Sequence, residues 1–293
     1  MNRASHIFQL IGKTPIVRIN KMNPNPNVEI YAKLEGFNPT GSLKDRIALR
    51  MIEKAEEEGK LTKDKIILEA TSGNTGISVA WVAALKGYKC LIVMPDFVSV
   101  ERRKILEALG AKIVFVSSEA ELVHKAREIA KNPQYFITDQ FVNKENWKAH
   151  FDTTGKEIWE QTDGKITHFV AGLGTSGTLM GVAKKLREMN KDIKIIGVQP
   201  SRPGNNQQGL INLQEFCPEI FNPEELDEMI MVDDKDALRT SRDVFLKEGL
   251  FVGISSGSTM YGAITKARQI KKGLIVALFG DHVFKYLSTA LFT

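Results

Sequence analysis

The sequence predicts an α/β protein of two lobes, built on mainly parallel sheets covered by helices. Three observations lead there. Short apolar runs at 30–34, 66–69, 91–94, 112–116, 135–138, 168–171, 194–198 and 274–279 alternate with helix-length amphipathic segments, the βα pattern of parallel sheets with helices on both faces. Loops rich in glycine and hydroxyl residues follow several of these runs, at strand carboxyl ends, where open α/β sheets bind ligands. The length, 293 residues with 43% hydrophobic and 26% charged, suffices for two lobes.

Composition excludes several classes. The net charge is +5, but Lys and Arg are scattered among Asp and Glu without a basic block, which argues against nucleic acid. The two cysteines, Cys90 and Cys217, stand far apart without CxxC or neighbouring histidines, so neither a zinc site nor a disulfide framework is expected, and Cys90 reads as core. The five histidines show no metal-ligand spacing. No apolar run reaches the ~18 residues of a membrane span, and residues 1–6 carry no signal-like apolar stretch. A reducing, cytoplasmic setting with no membrane partner is the expectation.

The first element of interest is Asn38-Pro39-Thr40-Gly41-Ser42-Leu43-Lys44-Asp45-Arg46. Proline and glycine give a turn, Ser42 is placed to cap a helix, and Leu43, Ile47, Met51 and Ile52 then recur at helical spacing. Lys44 falls in the first helical turn, where the macrodipole opposes a cation and lowers its pKa towards that of a nucleophilic amine. Gly36 and Gly41 have P-loop spacing, but Ser42-Leu43 stands where Lys-Ser/Thr is required, so a nucleotide triphosphate site is rejected.

Glu69-Ala70-Thr71-Ser72-Gly73-Asn74-Thr75-Gly76 leaves a strand and enters a helix at 77–85. Its hydroxyls, amide and helix-start N–H groups suit a carboxylate, and its paired glycines suggest close approach of a ligand to the backbone. A helix at 99–110 carries Glu101, Arg102, Arg103 and Lys104, read as a solvated face. Gln140 follows the strand at 135–138 and lands at the same sheet edge as Thr71 to Gly76. The pattern is irregular between 143 and 154, where a lobe boundary is placed.

Gly172-Leu173-Gly174-Thr175-Ser176-Gly177-Thr178 satisfies GxGxxG between a strand and a helix. A nicotinamide dinucleotide fold would place an acid at the end of the next strand, where Gln199-Pro200 stands. Three hydroxyls at a helix start suit a compact terminal phosphate better. Gly253-Ile254-Ser255-Ser256-Gly257-Ser258 precedes a helix at 259–271, and Phe279-Gly280-Asp281-His282 follows the last strand.

An imine-forming lysine, a phosphate cup, a carboxylate turn and a serine loop together suit pyridoxal 5′-phosphate holding an amino acid. In order and spacing, residues 38–46, 71–76, 174–178 and 253–257 resemble the fold type II pyridoxal-phosphate enzymes (tryptophan synthase β-like) of the cysteine synthase, or O-acetylserine sulfhydrylase, family. Lys33-Leu34-Glu35-Gly36, Glu101-Arg102-Arg103, Thr153-Thr154-Gly155-Lys156-Glu157-Ile158-Trp159 and Tyr286-Leu287-Ser288-Thr289 are similar to its B-type branch. The resemblance implies that Lys44 carries the cofactor, that Asn74 partners the ring oxygen and Ser255 the ring nitrogen, and that Gly174, Thr175, Ser176, Gly177 and Thr178 hold the phosphate. It implies that Thr71, Ser72, Thr75 and Gln140 bind the substrate carboxylate. The implied reaction is β-replacement on O-acetylserine by sulfide through α-aminoacrylate, giving cysteine; cystathionine or lanthionine formation from serine or cysteine, or a silent binding homologue, are its alternatives. A smaller mobile lobe at 35–145, a larger lobe from 1–34 and 146–293, and a homodimer are implied too. Two departures concern the leaving group: Gly209-Leu210-Ile211-Asn212 lacks an arginine common in the branch, and Gly280-Asp281-His282-Val283-Phe284-Lys285 replaces Asp-Arg or Glu-Arg before Tyr286. With only Arg202 offered after Pro200, O-acetylserine is expected to outperform O-phosphoserine.

Overall fold

The structure is a computed structural model that describes residues 3–292. In chain order its strands are β1 (Ile16–Ile19), β2 (Val28–Leu34), β3 (Ile66–Ala70), β4 (Lys89–Pro95), β5 (Lys112–Val116), β6 (Tyr135–Ile137), β7 (His168–Gly172), β8 (Lys194–Pro200), β9 (Glu228–Val232) and β10 (Gly273–Phe279). The helices are α1 (Lys44–Glu57), α2 (Asn74–Lys86), α3 (Val100–Ala108), α4 (Glu119–Ile129), α5 (Glu145–Asp152), α6 (Thr154–Gln161), α7 (Gly177–Met189), α8 (Asp234–Asp243) and α9 (Ile254–Gln269).

The strands form two sheets, a six-stranded one in the order β1-β2-β10-β7-β8-β9 and a four-stranded one in the order β5-β4-β3-β6. Every pairing is parallel except that of β1 with β2. The central strands of the large sheet are covered on both faces, so Ile30, Ala32, Val170, Ile196, Val198, Ile275 and Ala277 are fully buried and read as continuous apolar runs. All eight expected strands are present. The two unforeseen ones, β1 and β9, are sheet edges with several solvated residues, which dilutes the apolar signal that marks a strand.

Three expectations about helices are corrected. The stretch at 143–154 is not irregular but contains α5, whose buried residues are Glu145, Asn146, Ala149 and His150. Three of those four are polar, so the buried face of this helix is not the one that hydrophobic periodicity marks. The last long helix begins at Ile254 rather than 259, which puts Ser255 in its first turn instead of a loop. Finally, the α3 charge run is not all solvated: the Arg102 guanidinium is buried over the Tyr286 ring at 5.1 Å and donates to Gln208 Oε1.

A buried ion cluster fixes the start of α1. Arg46 donates to Glu35 Oε2 at 2.7 Å and to Glu157 Oε1 at 2.7 Å, and Lys33 donates to Glu157 Oε2 at 2.7 Å. Burial pushes the Glu157 carboxyl up, but the Arg46 and Lys33 cations outweigh it and hold the pKa at about 2. Arg46→Leu strands the Glu35 carboxylate in a dry site and leaves Glu157 with Lys33 as its remaining cation, and is expected to cost about 3–5 kcal/mol, read as a lower denaturant midpoint. Because the folded-state pKa of Glu157 is depressed, its contribution is full above the ordinary carboxylate value of 4.5 and disappears as pH falls towards 2.

Candidate active site

Lys44 is placed by a turn that the chain's last strand clamps. Gly41 adopts φ +81°, open to glycine at little cost, and its N–H donates to Asn38 O at 2.8 Å. Leu43 N–H then donates to Gly280 O at 2.9 Å, and His282 N–H to Gly41 O at 3.0 Å, so the residues around Ser42 and Asp281 pair as a short antiparallel bridge. Lys44 thereby faces the Gly280-Asp281 segment that follows β10. The helix cap differs from expectation. Leu43 occupies the N-cap position, and Ser42 Oγ instead accepts the Lys44 N–H at 3.3 Å.

The Lys44 amine is depressed to about 8, the direction expected from its helix position, but burial is the leading cause. The like charge of Lys285 lowers it further, and Asp281 opposes the shift. An amine of that pKa is substantially neutral near pH 8 and is therefore nucleophilic.

One cavity is lined by Lys44, Asn74, Gly174, Thr175, Ser176, Thr178 and Ser255, which brings together residues from four separate loops. Gly177 does not itself line it. An ideal Cβ on Gly177 would lie 1.9 Å from Asn146 Oδ1, so this glycine lets α5 close behind the loop. The left-handed residue of the loop is Ser176, at φ +67°, a conformation that an L side chain adopts at some cost. Its buried Oγ has no partner among the described residues. Behind Thr178, His150 bridges Thr178 Oγ1 at 3.2 Å and Thr154 Oγ1 at 2.9 Å. Burial, then the Arg46 charge, drives its pKa down to about 3, so the imidazole is neutral. Thr175, Ser176 and Thr178 thus offer hydroxyls at the start of α7, where helix N–H groups and dipole favour an anion.

Thr71, Thr75 and Gln140 sit beside this cavity rather than in its wall, and they bond to one another's segments. Thr75 Oγ1 donates to Gln140 Oε1 at 2.6 Å, Gln140 Nε2 to Ala70 O at 3.2 Å, and Gly73 N–H to Thr71 Oγ1 at 3.0 Å. Ser72 lies on the same turn, half-buried. The two glycines of this turn differ. A Cβ on Gly76 would meet Thr71 Cγ2 at 2.9 Å and Ile92 Cγ2 at 3.3 Å, so its smallness serves packing, while a Cβ on Gly73 would meet nothing within 4 Å.

Sequence reasoning did not single out the group opposite Lys44 as a unit. Asn74 Nδ2 donates to Asp281 Oδ2 at 2.7 Å, and the Tyr286 hydroxyl donates to the same oxygen at 2.6 Å. Asp281 and Tyr286 both line the cavity, and Lys44 and Asp281 are its two charged wall residues. Asn74 Oδ1 and Asp281 Oδ1 are buried with no partner among the described residues. The departure at 280–285 was the available signal, but a pairing 207 residues apart in sequence is not visible in it. Arg202 lies away from all of this, exposed and 3.8 Å from Asp234. A second concavity, the open groove between Trp147 and Phe151 of α5 and Lys184 and Arg187 of α7, holds mixed charges and no comparable convergence of donors.

Comparison with known proteins matches these features. The sequence model of a family described as pyridoxal-phosphate dependent enzyme matches residues 7–281. The chain is 42% identical over 292 residues to cysteine synthase B of Escherichia coli, covering 98% of this chain and 96% of that protein. Among solved structures it superposes on an O-acetyl serine sulfhydrylase of Entamoeba histolytica with TM-score 0.92 at 33% identity, covering 99% of this chain and 92% of that one. A hydrogen sulfide-producing enzyme of Fusobacterium nucleatum superposes with TM-score 0.93 at 39% identity, covering 97% of this chain and 100% of that one.

Proposed function

The chain belongs to the pyridoxal-phosphate dependent enzymes, and from that premise we infer that it is a cysteine synthase, making L-cysteine from O-acetylserine and sulfide. The observation that carries this reading is the convergence of Lys44, Asn74, Ser255 and the Thr175 to Thr178 hydroxyls on one cavity. The residues present fit the cofactor: Ser176 Oγ, a hydroxyl that can donate to a phosphate, is buried with no partner among the described residues, as expected of an atom that meets a ligand.

Bound pyridoxal 5′-phosphate supplies the electron sink that makes the Cα proton of an amino acid removable. The chain supplies the rest. Thr175, Ser176 and Thr178 would donate to the phosphate, Gly174 and Gly177 keep that loop compact, and Asn74 would serve the ring oxygen and Ser255 the ring nitrogen. Lys44 would hold the cofactor, and its amine would take the Cα proton as general base; an amine of pKa about 8 suits that task near neutral pH. Thr71, Ser72, Thr75 and Gln140 bind the substrate carboxylate, which requires Thr75 and Gln140 to exchange their mutual bond for the ligand.

The donor follows from the charges in the wall. A phosphoserine donor releases a phosphate, which needs a fixed cation in the wall, whereas the wall offers Asp281 beyond Lys44, and the nearby Lys285 does not line it. O-Acetylserine is therefore expected to react with a kcat/KM at least about tenfold above that of O-phosphoserine, a gap of ~1.4 kcal/mol in transition-state energy. Steady-state kinetics with both donors and sulfide tests the proposal. Equal or faster use of O-phosphoserine would overturn the donor assignment, and sulfide release from L-cysteine as the dominant activity would overturn the reading as a synthase.

We propose further that the chain works as two lobes, 35–145 and the remainder, which close on the carboxylate turn. Separate four- and six-stranded sheets support this division; faster limited proteolysis between 143 and 154 without substrate than with it would test the motion. A homodimer is proposed from exposed Phe37, Phe97, Phe251 and Phe284, and a sedimentation mass equal to one chain would refute it. A reducing, cytoplasmic compartment fits the two free cysteines, one of them exposed, and cell fractionation would test it.

A further inference from the structure

Asn146 lies on the buried face of α5 and is 1% exposed. Its Nδ2 donates to Gln140 O at 2.7 Å and to Thr175 Oγ1 at 3.0 Å. A backbone carbonyl only accepts, so the Gln140 contact fixes which end of the amide is nitrogen. Thr175 Oγ1 must then accept from Asn146, and its own proton is left to donate into the cavity that Thr175 lines. The cost falls on the other end of the amide: Asn146 Oδ1 is buried without a partner, against the Cα of Gly177.

The two acceptors belong to different sheets. Gln140 follows β6 of the four-stranded sheet and Thr175 follows β7 of the six-stranded one, so one amide spans both. Anchoring α5 would need only the bond to Gln140. The second bond acts on a hydroxyl in the cavity wall and settles its direction.

We propose that Asn146 is a positioning residue that makes Thr175 a donor towards the cofactor phosphate and joins the phosphate cup to the segment of Gln140. This rests on the cofactor reading above. The orientation matters because a phosphate accepts but, when fully ionised, does not donate; a threonine hydroxyl turned the other way would oppose it with a lone pair.

The test uses the full-length protein reconstituted with pyridoxal 5′-phosphate or with pyridoxal, which lacks the phosphate, and reads affinity from the absorbance of the bound ring. Asn146→Ala is expected to weaken pyridoxal 5′-phosphate about tenfold and pyridoxal less than about twofold, as loss of one oriented donor to a charged acceptor predicts. Asn146→Asp keeps the shape but accepts from Thr175 and adds a negative charge, so a loss of about a hundredfold or more is expected for the phosphate form alone. Since Asn146 acts through Thr175, adding Asn146→Ala to Thr175→Ala should cost no further affinity. Equal losses for both ligands, or additive losses in the double variant, would overturn the proposal. Wild-type protein that binds both ligands equally would instead sink the phosphate cup itself, so the two failures are distinguishable.

Discussion

Replacing Lys44 with alanine is expected to leave a folded protein whose cysteine-forming rate falls by at least about 10³, since it removes both the covalent attachment and the general base. Borohydride reduction of the wild-type protein should fix the cofactor to the peptide containing Lys44, and Lys44→Ala should yield no such adduct by mass spectrometry. The pH dependence is fixed by the amine that burial depresses to about 8. The neutral form attacks, so cofactor capture by the stripped protein should rise about tenfold per pH unit below 8 and level off above it. Lys285 is the informative alternative, being a buried lysine near Lys44 whose Nζ has no protein partner and whose pKa burial also lowers. An adduct on Lys285, or capture that does not change between pH 6 and 9, would refute the assignment.

Gly177→Val should produce the second-largest effect. A Cβ there meets Asn146 Oδ1 at 1.9 Å and Asn146 Cγ at 2.5 Å, so the side chain of Asn146 must leave its place. Overpacking of this kind costs about 1–3 kcal/mol in stability, and cofactor affinity should fall by about a hundredfold as the loop shifts. Gly177 carries no positive φ; the contact is with α5. Gly73→Ala is the control, because its Cβ would face open space, and cofactor titration should change by less than about threefold. Comparable losses in both variants would remove the distinction drawn between these glycines, and an unchanged titration in Gly177→Val would detach this loop from the cofactor.

The α/β class and the central strands were legible because strands buried on both faces are continuous apolar runs, and these need no knowledge of their neighbours. The glycine- and hydroxyl-rich loops were legible for a similar reason: the groups that leave a strand end and open a helix are adjacent in the chain, so Asn74, Gly174, Thr175, Ser176, Thr178 and Ser255, which line one cavity, could be marked as candidates. Lys44 was readable as a helix-start amine, and the direction of its pKa shift with it. The leading cause was not, because burial is a property of the closed turn that Gly280 and His282 hold in place.

Tertiary structure alone decided the groups that face each other across the fold. Asp281 meets Asn74 and Tyr286 at the cavity wall, and Arg102 withdraws from solvent onto Tyr286. Helix α5 is the clearest case. Its inner face is Glu145, Asn146, Ala149 and His150, which by composition belongs in water. Those polar groups are held inside by partners beyond the helix, Gln140 and Thr154 close by in sequence and Arg50, Thr175 and Thr178 far from it. A sequence displays apolar burial through its own periodicity, whereas polar burial depends on hydrogen-bond partners that only the folded chain brings within reach.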